Sequence, residues 1–290
     1  MAGSRPKYVR SSKANPTHNV RWGRRLFLSF LVTVASIYAV ILGYHFAVPQ
    51  HPAVVAGDIN WLDQCRDLCL SYGLIPTGHV ANDATAYLEA AKPGSLPTDF
   101  EAIWNDEEFV AAESQAHPLL GKPAPDFKLP NDRGELVSLR ELNAQGPVLV
   151  VFYYGYGCSH CVAQLFGIQK DLQHFSHLGA QIVAISADPS EKTAAQFEKY
   201  GRFDFPVLSD QPQAVAEQYS VYTPPSDDKP ENLLHGTFVI DRSGVVTFVN
   251  MGYQPFLDNK SLLFWLSIPP LSSESRSQPT GVTSKLELAP

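Results

Sequence analysis

The residues with the clearest capacity for chemistry are Cys158-Ser159-His160-Cys161. They follow an apolar run, Pro147–Tyr154 (PVLVVFYY), and the turn Gly155-Tyr156-Gly157, and they open a stretch with helical periodicity. Two thiols at this spacing suit redox work. The first lies at a helix N-terminus, where unpaired amides and the helix dipole favour thiolate over thiol. The second lies one turn further on, within disulfide range, and can resolve a mixed disulfide on the first. Ser159 and His160 are placed to tune that pair. A protonated His160 would stabilise the Cys158 thiolate and make the disulfide more oxidising.

A zinc half-site is the rival reading of the motif, but it needs a second ligand pair of similar spacing. No cysteine follows Cys161, and the remaining two, Cys65 and Cys69, are spaced CxxxC within a predicted helix. The sequence therefore predicts no metal and no cofactor. In a regular helix the Cβ atoms of Cys65 and Cys69 would stand roughly 5–6 Å apart, beyond the 3.5–4.5 Å of a disulfide. Ordinary apolar packing is the leading expectation for them. A secondary redox pair relaying electrons to Cys158/Cys161 is the alternative, and metal binding with His79 is a third. His117, His174 and His177 show no ligand spacing and read as surface residues.

The elements that must position the motif follow from periodicity. Helices are expected over Asp58–Gly73, Ala81–Ala91 and Phe100–Ser114. Two short strands (DFKLP and GELVSL) flank the turn Asn131–Gly134. Pro147–Tyr154 reads as a strand buried on both faces. Then come helix Ser159–Leu178, strand Gln181–Ala187, helix Ser190–Tyr200, strand Phe205–Leu208 and helix Pro212–Tyr219. A terminal hairpin of Gly236–Asp241 and Val245–Asn250 precedes a last helix near Leu257–Leu266. Strands alternating with helices predict an α/β fold with a mixed central sheet flanked by helices. The Ser-, Thr- and Pro-rich tail, 269–290, reads as disordered.

The 290-residue chain carries a formal charge of −7, which argues against nucleic-acid binding. That average hides a split. Residues 1–25 hold seven basic and no acidic side chains, whereas the rest holds 15 basic and 29 acidic ones. Leu26–Val48 follows, 23 residues without Asp, Glu, Lys or Arg, long enough as a helix to cross a hydrocarbon core of about 30 Å. The sequence thus predicts a basic cytoplasmic leader (1–25), a transmembrane helix in contact with lipid (26–48), a helical segment carrying CxxxC (49–117) and a catalytic domain (118–268). The basic leader places that domain outside the cytoplasm, in the periplasm if the cell is bacterial.

Over about Pro118–Leu266 the chain resembles the thioredoxin superfamily, specifically membrane-anchored redoxins of the AhpC/TSA and TlpA/ResA type. The resemblance lies in GKPAPDFKLPNDRGELVSLREL, VLVVFYYGYGCSHC, VAISADPSEKTAAQFEKYGRFDFPVLSD and GTFVIDRSGVVTFV. It implies a thioredoxin-like fold in which Cys158 attacks and Cys161 resolves. Thioredoxins carry a cis-proline, and peroxiredoxins an arginine, where this chain has His235. The peroxiredoxin pattern P-x-x-x-T-x-x-C meets Val151 and Gly155 at its Pro and Thr. The leading expectation is therefore a membrane-tethered thiol–disulfide oxidoreductase acting on protein thiols or disulfides, or on a membrane electron donor. A peroxiredoxin-like peroxidase reducing hydroperoxides is the alternative, and a Sco-like metallochaperone stands behind both.

Overall fold

The computed structural model of the chain describes residues 17–47, 67, 70–91 and 94–269, with side chains of the first segment described over 25–40. The chain forms two compact units, Met1–Asp58 and Ile59–Pro290.

In the first unit, α1 (Thr17–Ala47) is a single helix of 31 residues. Thr33 Oγ donates to the Ser29 carbonyl one turn back at 2.9 Å, so this hydroxyl is satisfied within the helix. The expected helix over residues 26–48 is thus present up to Ala47. Among the described residues, however, no helix is long and apolar enough to cross a membrane. The membrane-spanning role read from the sequence is not shown.

In the second unit, past helical residues up to Ser71, lies α2 (Val80–Ala91). The Asp83 carboxylate in its first turn accepts from the Thr77 and Gly78 amides, fastening the preceding loop to the helix. Beyond it lie β1 (Lys128–Pro130), β2 (Leu136–Ser138) and α3 (Leu139–Asn143). Ser138 and Glu141 form a capping box at the start of α3, each side chain satisfying an amide of the other. Next come β3 (Val148–Phe152), α4 (Ser159–Lys170), α5 (Leu172–His177), β4 (Gln181–Ser186) and α6 (Ser190–Tyr200). The chain continues through β5 (Val207–Ser209), α7 (Ala214–Gln218), β6 (Tyr222–Thr223), β7 (Asn232–Leu233), β8 (His235–Ile240), β9 (Val246–Gly252) and α8 (Asn259–Ser267).

The main sheet has the order β5-β4-β3-β8-β9. β3 runs parallel to β4 and antiparallel to β8. All five residues of β3 are buried, as an uninterrupted apolar run predicts for a strand covered on both faces. Leu149 and Val151 face the core that contains both cysteines. Val148, Val150 and Phe152 face a second core with Leu139, Leu142 and Tyr219. This is the mixed, helix-flanked sheet of the thioredoxin type.

Three expectations need correction. The helix expected over Phe100–Ser114 is only a 3-10 turn, Glu101–Trp104. Beyond it the chain is taken up by tertiary bonds: the Ala112 amide donates to Ser261 Oγ, and the Gln115 amide donates to the Val249 carbonyl. The helix expected over Ser159–Leu178 breaks at Asp171, where Asn259 Nδ2 donates to both the Gly167 carbonyl and the Asp171 carboxylate. His174 is buried, which corrects its reading as a surface residue, whereas His177 is exposed as read and stacks on Phe100 with centroids 4.2 Å apart. Of the helix expected over Asp58–Gly73, the described residues Asp67, Leu70 and Ser71 are helical. It ends, as its glycine suggests, at Gly73 with φ +71°. Cys65, Cys69 and the tail from Pro270 lie outside the described residues.

Candidate active site

Strand β3 delivers the chain into the turn Tyr153–Gly157, and α4 begins at Ser159 with Cys158 as its N-cap residue. The turn is held by Asp188 at the end of the strand next door. One carboxylate oxygen accepts from the Tyr156 amide at 2.7 Å, and the other accepts from Lys192 Nζ at 2.7 Å. Gly155 lies beneath that carboxylate at φ +124°, and a Cβ there would stand 2.7–2.8 Å from its atoms. Both the backbone angle and the space demand glycine.

Cys158 and Cys161 are joined in a disulfide, with Cα atoms 5.3 Å apart. They are 3% and 0% exposed. His160 turns inward, 1% exposed, and lies against both sulfurs. Its Nδ1 is 3.2 Å from Cys158 Sγ, and its Nε2 is 3.7 Å from each sulfur. Burial pushes its pKa down to about 4. The imidazole is therefore neutral at pH 7, which corrects the imidazolium expected from the sequence. A neutral ring against Cys158 is an acceptor for the thiol proton once the disulfide is reduced. Ser159 opens α4 with a half-buried side chain.

Opposite the disulfide stands His235, the first residue of β8, 2% exposed. The register that sets Phe152 opposite Gly236 brings the start of β8 to the end of β3. Gly236 permits this approach, since a Cβ there would fall 2.3 Å from Val221. The His235 ring lies 5.7 Å from that of His160 and 4.2 Å from that of Tyr154. Neither ring nitrogen has a partner in full hydrogen-bond geometry, though the backbone of Tyr253 and Gly252 lies beside the ring. Burial, and secondarily the nearby His160, push its pKa down to about 3, against a smaller upward pull from the backbone of Tyr253 and Gly252. Among the described residues no peptide bond is cis, so His235 occupies this position without the cis-proline geometry.

The structure thus brings together Cys158, His160, Cys161 and His235. Sequence reasoning missed three contributors. Tyr87 of α2 is buried with its ring 5.6 Å from His160, so the segment ahead of the domain supplies a wall of the site. Tyr154 stacks near His235 and donates its hydroxyl to the Leu233 carbonyl. Asp188 anchors the motif's turn; its only signal was an acidic residue just past a buried strand. His79 stands elsewhere, against Tyr200 at 4.8 Å.

The AhpC/TSA family profile matches residues 120–249. Peroxiredoxin Bcp of Escherichia coli K12 is 30% identical over 148 residues, which cover 50% of this chain and 94% of the relative. The chain belongs to the AhpC/TSA family. A chloroplastic peroxiredoxin Q of Sedum lineare is 34% identical over 136 residues, covering 47% of this chain and 70% of that one. The peroxidoxin BcpB structure from Mycobacterium tuberculosis has 31% identity and a TM-score of 0.46, covering 52% of this chain and 97% of that one. Membership in the AhpC/TSA family places the domain in the thioredoxin superfamily and makes it a redox domain. Val151, Gly155 and His235 depart from the family pattern, and Gly155 has a structural reason: Asp188 fills the space a side chain would need.

Proposed function

We propose that the protein is a thiol peroxidase of the peroxiredoxin kind, reducing hydroperoxides through Cys158 and drawing electrons from an external thiol. The observation that carries this reading is a sulfur pair at a helix N-terminus, with an imidazole against it, inside a domain 30% identical to a peroxiredoxin over 94% of that relative's length. In the reduced enzyme, His160 accepts the Cys158 proton. The thiolate attacks a peroxide oxygen, the O–O bond breaks, and the leaving alkoxide takes that proton to depart as an alcohol. Cys158 is left as a sulfenic acid. Cys161 then attacks the Cys158 sulfur, forming the disulfide and releasing water. An external dithiol returns two electrons and two protons.

Peroxide consumption with dithiothreitol as donor tests this. Cys158→Ser should abolish turnover, and Cys161→Ser should leave a sulfenic acid that dimedone traps. Turnover equal to the Cys158→Ser background would end the peroxidase reading.

Disulfide exchange with protein substrates is the second reading. It is favoured by Gly155 and His235 standing where the family resemblance puts the hydroxyl and cation that activate a peroxide. Insulin reduction that outpaces peroxide turnover would select it.

We further propose that the apolar segment within α1 anchors the protein in a membrane, with the redox domain outside the cytoplasm. Its support is the uncharged run Leu26–Val48 behind seven basic residues. A reporter fused after Pro290 should be active only outside the cytoplasm; activity inside would reverse the topology.

A further inference from the structure

Cys158, His160 and Cys161 offer three ligand atoms within 4.8 Å of one another, the one such group of His, Cys or carboxylate donors among the described residues. In a tetrahedral zinc site, with Zn–S of about 2.3 Å and Zn–N of about 2.0 Å, nitrogen and sulfur donors stand about 3.5 Å apart. His160 Nε2 is already 3.7 Å from both sulfurs. A second imidazole lies beside this group, outside the 4.8 Å cluster. His235 is buried with neither nitrogen in full hydrogen-bond geometry, and its ring centroid is 5.7 Å from that of His160. Two imidazoles on one tetrahedral ion have centroids roughly 5 Å apart. A zinc site needs a second ligand pair beside the two cysteines; the fold offers two histidines, one from the motif and one from the strand β8.

We propose that the reduced protein binds one Zn(II) through Cys158, Cys161, His160 and His235, a closed site that exists only when the disulfide is open. Reduction by two electrons and two protons breaks the S–S bond. Binding then forms two Zn–S and two Zn–N bonds and releases the two thiol protons. Two thiolates cancel the charge of the ion, so the complex is neutral in a dry pocket, where an uncompensated charge would be costly. Zinc would thus cap the dithiol and shield it from oxidant. The proposal shares its residues with the peroxidase reading but does not depend on it, because its test contains no peroxide.

The full chain, reduced with a phosphine, is titrated with Zn(II) against a chromophoric chelator. The expected result is one equivalent beyond any bound by the Cys158→Ser/Cys161→Ser variant. That equivalent should weaken at least tenfold in His160→Asn and in His235→Asn. Cd(II) should give thiolate-to-metal charge-transfer absorbance with the intensity of two Cd–S bonds, and Zn(II) should slow alkylation of Cys158 reversibly with EDTA. Thiol counting after oxidation shows that each histidine variant still closes its disulfide and is folded; His→Gln replaces one that does not. Equal stoichiometry in the wild-type and double-serine proteins, or an affinity unmoved by either histidine change, would overturn the proposal.

Discussion

At the residue scale the decisive side chain is His160. It is buried against the disulfide and uncharged, because desolvation brings its pKa to about 4. On the proposed peroxidase reading its contribution is proton acceptance from Cys158 at 3.2 Å rather than a standing positive charge. General-base help of this kind is worth about 100-fold or more. His160→Phe should lower the peroxide reaction rate by about that factor at pH 7. The deficit should shrink as pH rises through the thiol's own ionisation near 8.5, because hydroxide then removes the proton. A deficit constant from pH 6 to 10 would show that His160 only shapes the pocket. The importance of the CxxC pair was plain in the sequence. The inward turn of His160 was not, because it depends on Tyr87 and His235, which lie 73 and 75 residues away along the chain.

At the scale of elements, the motif is aimed by the turn between β3 and α4, and the turn is held by Asp188. Gly155→Ala would set a Cβ 2.7–2.8 Å from that carboxylate at φ +124°. Left-handed strain and overpacking together should cost about 2–4 kcal/mol, read as a fall in the denaturant midpoint. A change under about 0.5 kcal/mol would mean that the carboxylate moves aside freely. Gly155→Thr meets the same obstacle, so it should not restore a peroxiredoxin-type hydroxyl. Periodicity located β3, α6 and the final hairpin because their burial patterns are strong and local. It overran at Phe100–Ser114, where helical spacing of Phe100, Ile103 and Trp104 persists but the following residues bond instead to β9 and α8. It also missed the break at Asp171, which is made by Asn259 from the far end of the chain.

On the scale of the whole molecule, two buried neutral histidines set the response to acid. Their folded pKa values, about 4 and about 3, lie below the 6.5 of an exposed histidine. Between pH 6.5 and 4 the unfolded chain binds protons that the folded chain refuses, so stability falls as pH falls. For His160 alone the loss by pH 4 is on the order of 3 kcal/mol. Asp210 opposes this in part. Burial raises its pKa, so the folded chain takes up that proton more readily than the unfolded one. His235→Phe should flatten the acid limb of the disulfide form. It should also raise its stability by about 1 kcal/mol at neutral pH, since two nitrogens without full hydrogen-bond geometry leave the core. Urea titrations from pH 7 to 4 measure both, and an unchanged slope would place His235 nearer solvent than its burial indicates. The mixed-sheet architecture was legible from the alternation of apolar runs. The junction between the preceding helical segment and the domain was not, because Tyr87 and Ala84 meet Ala163 only through tertiary packing.

The short stretch around Gln115 has a bearing on self-association. β9 ends the sheet, and an uncovered end strand is a template for another chain. Here the Gln115 amide donates to the Val249 carbonyl, its side chain bonds both polar groups of the Met251 backbone, and Ser114 Oγ accepts from the Val249 amide. Gly121 and Lys122 occupy the same edge at Val246. The family match begins at residue 120, so a domain trimmed to that boundary bares the outer half of β9. Such a fragment should sediment as dimers and larger species at concentrations where one beginning near Val110 stays monomeric. The residues just ahead of the family domain thus serve as its guard against edge-to-edge assembly.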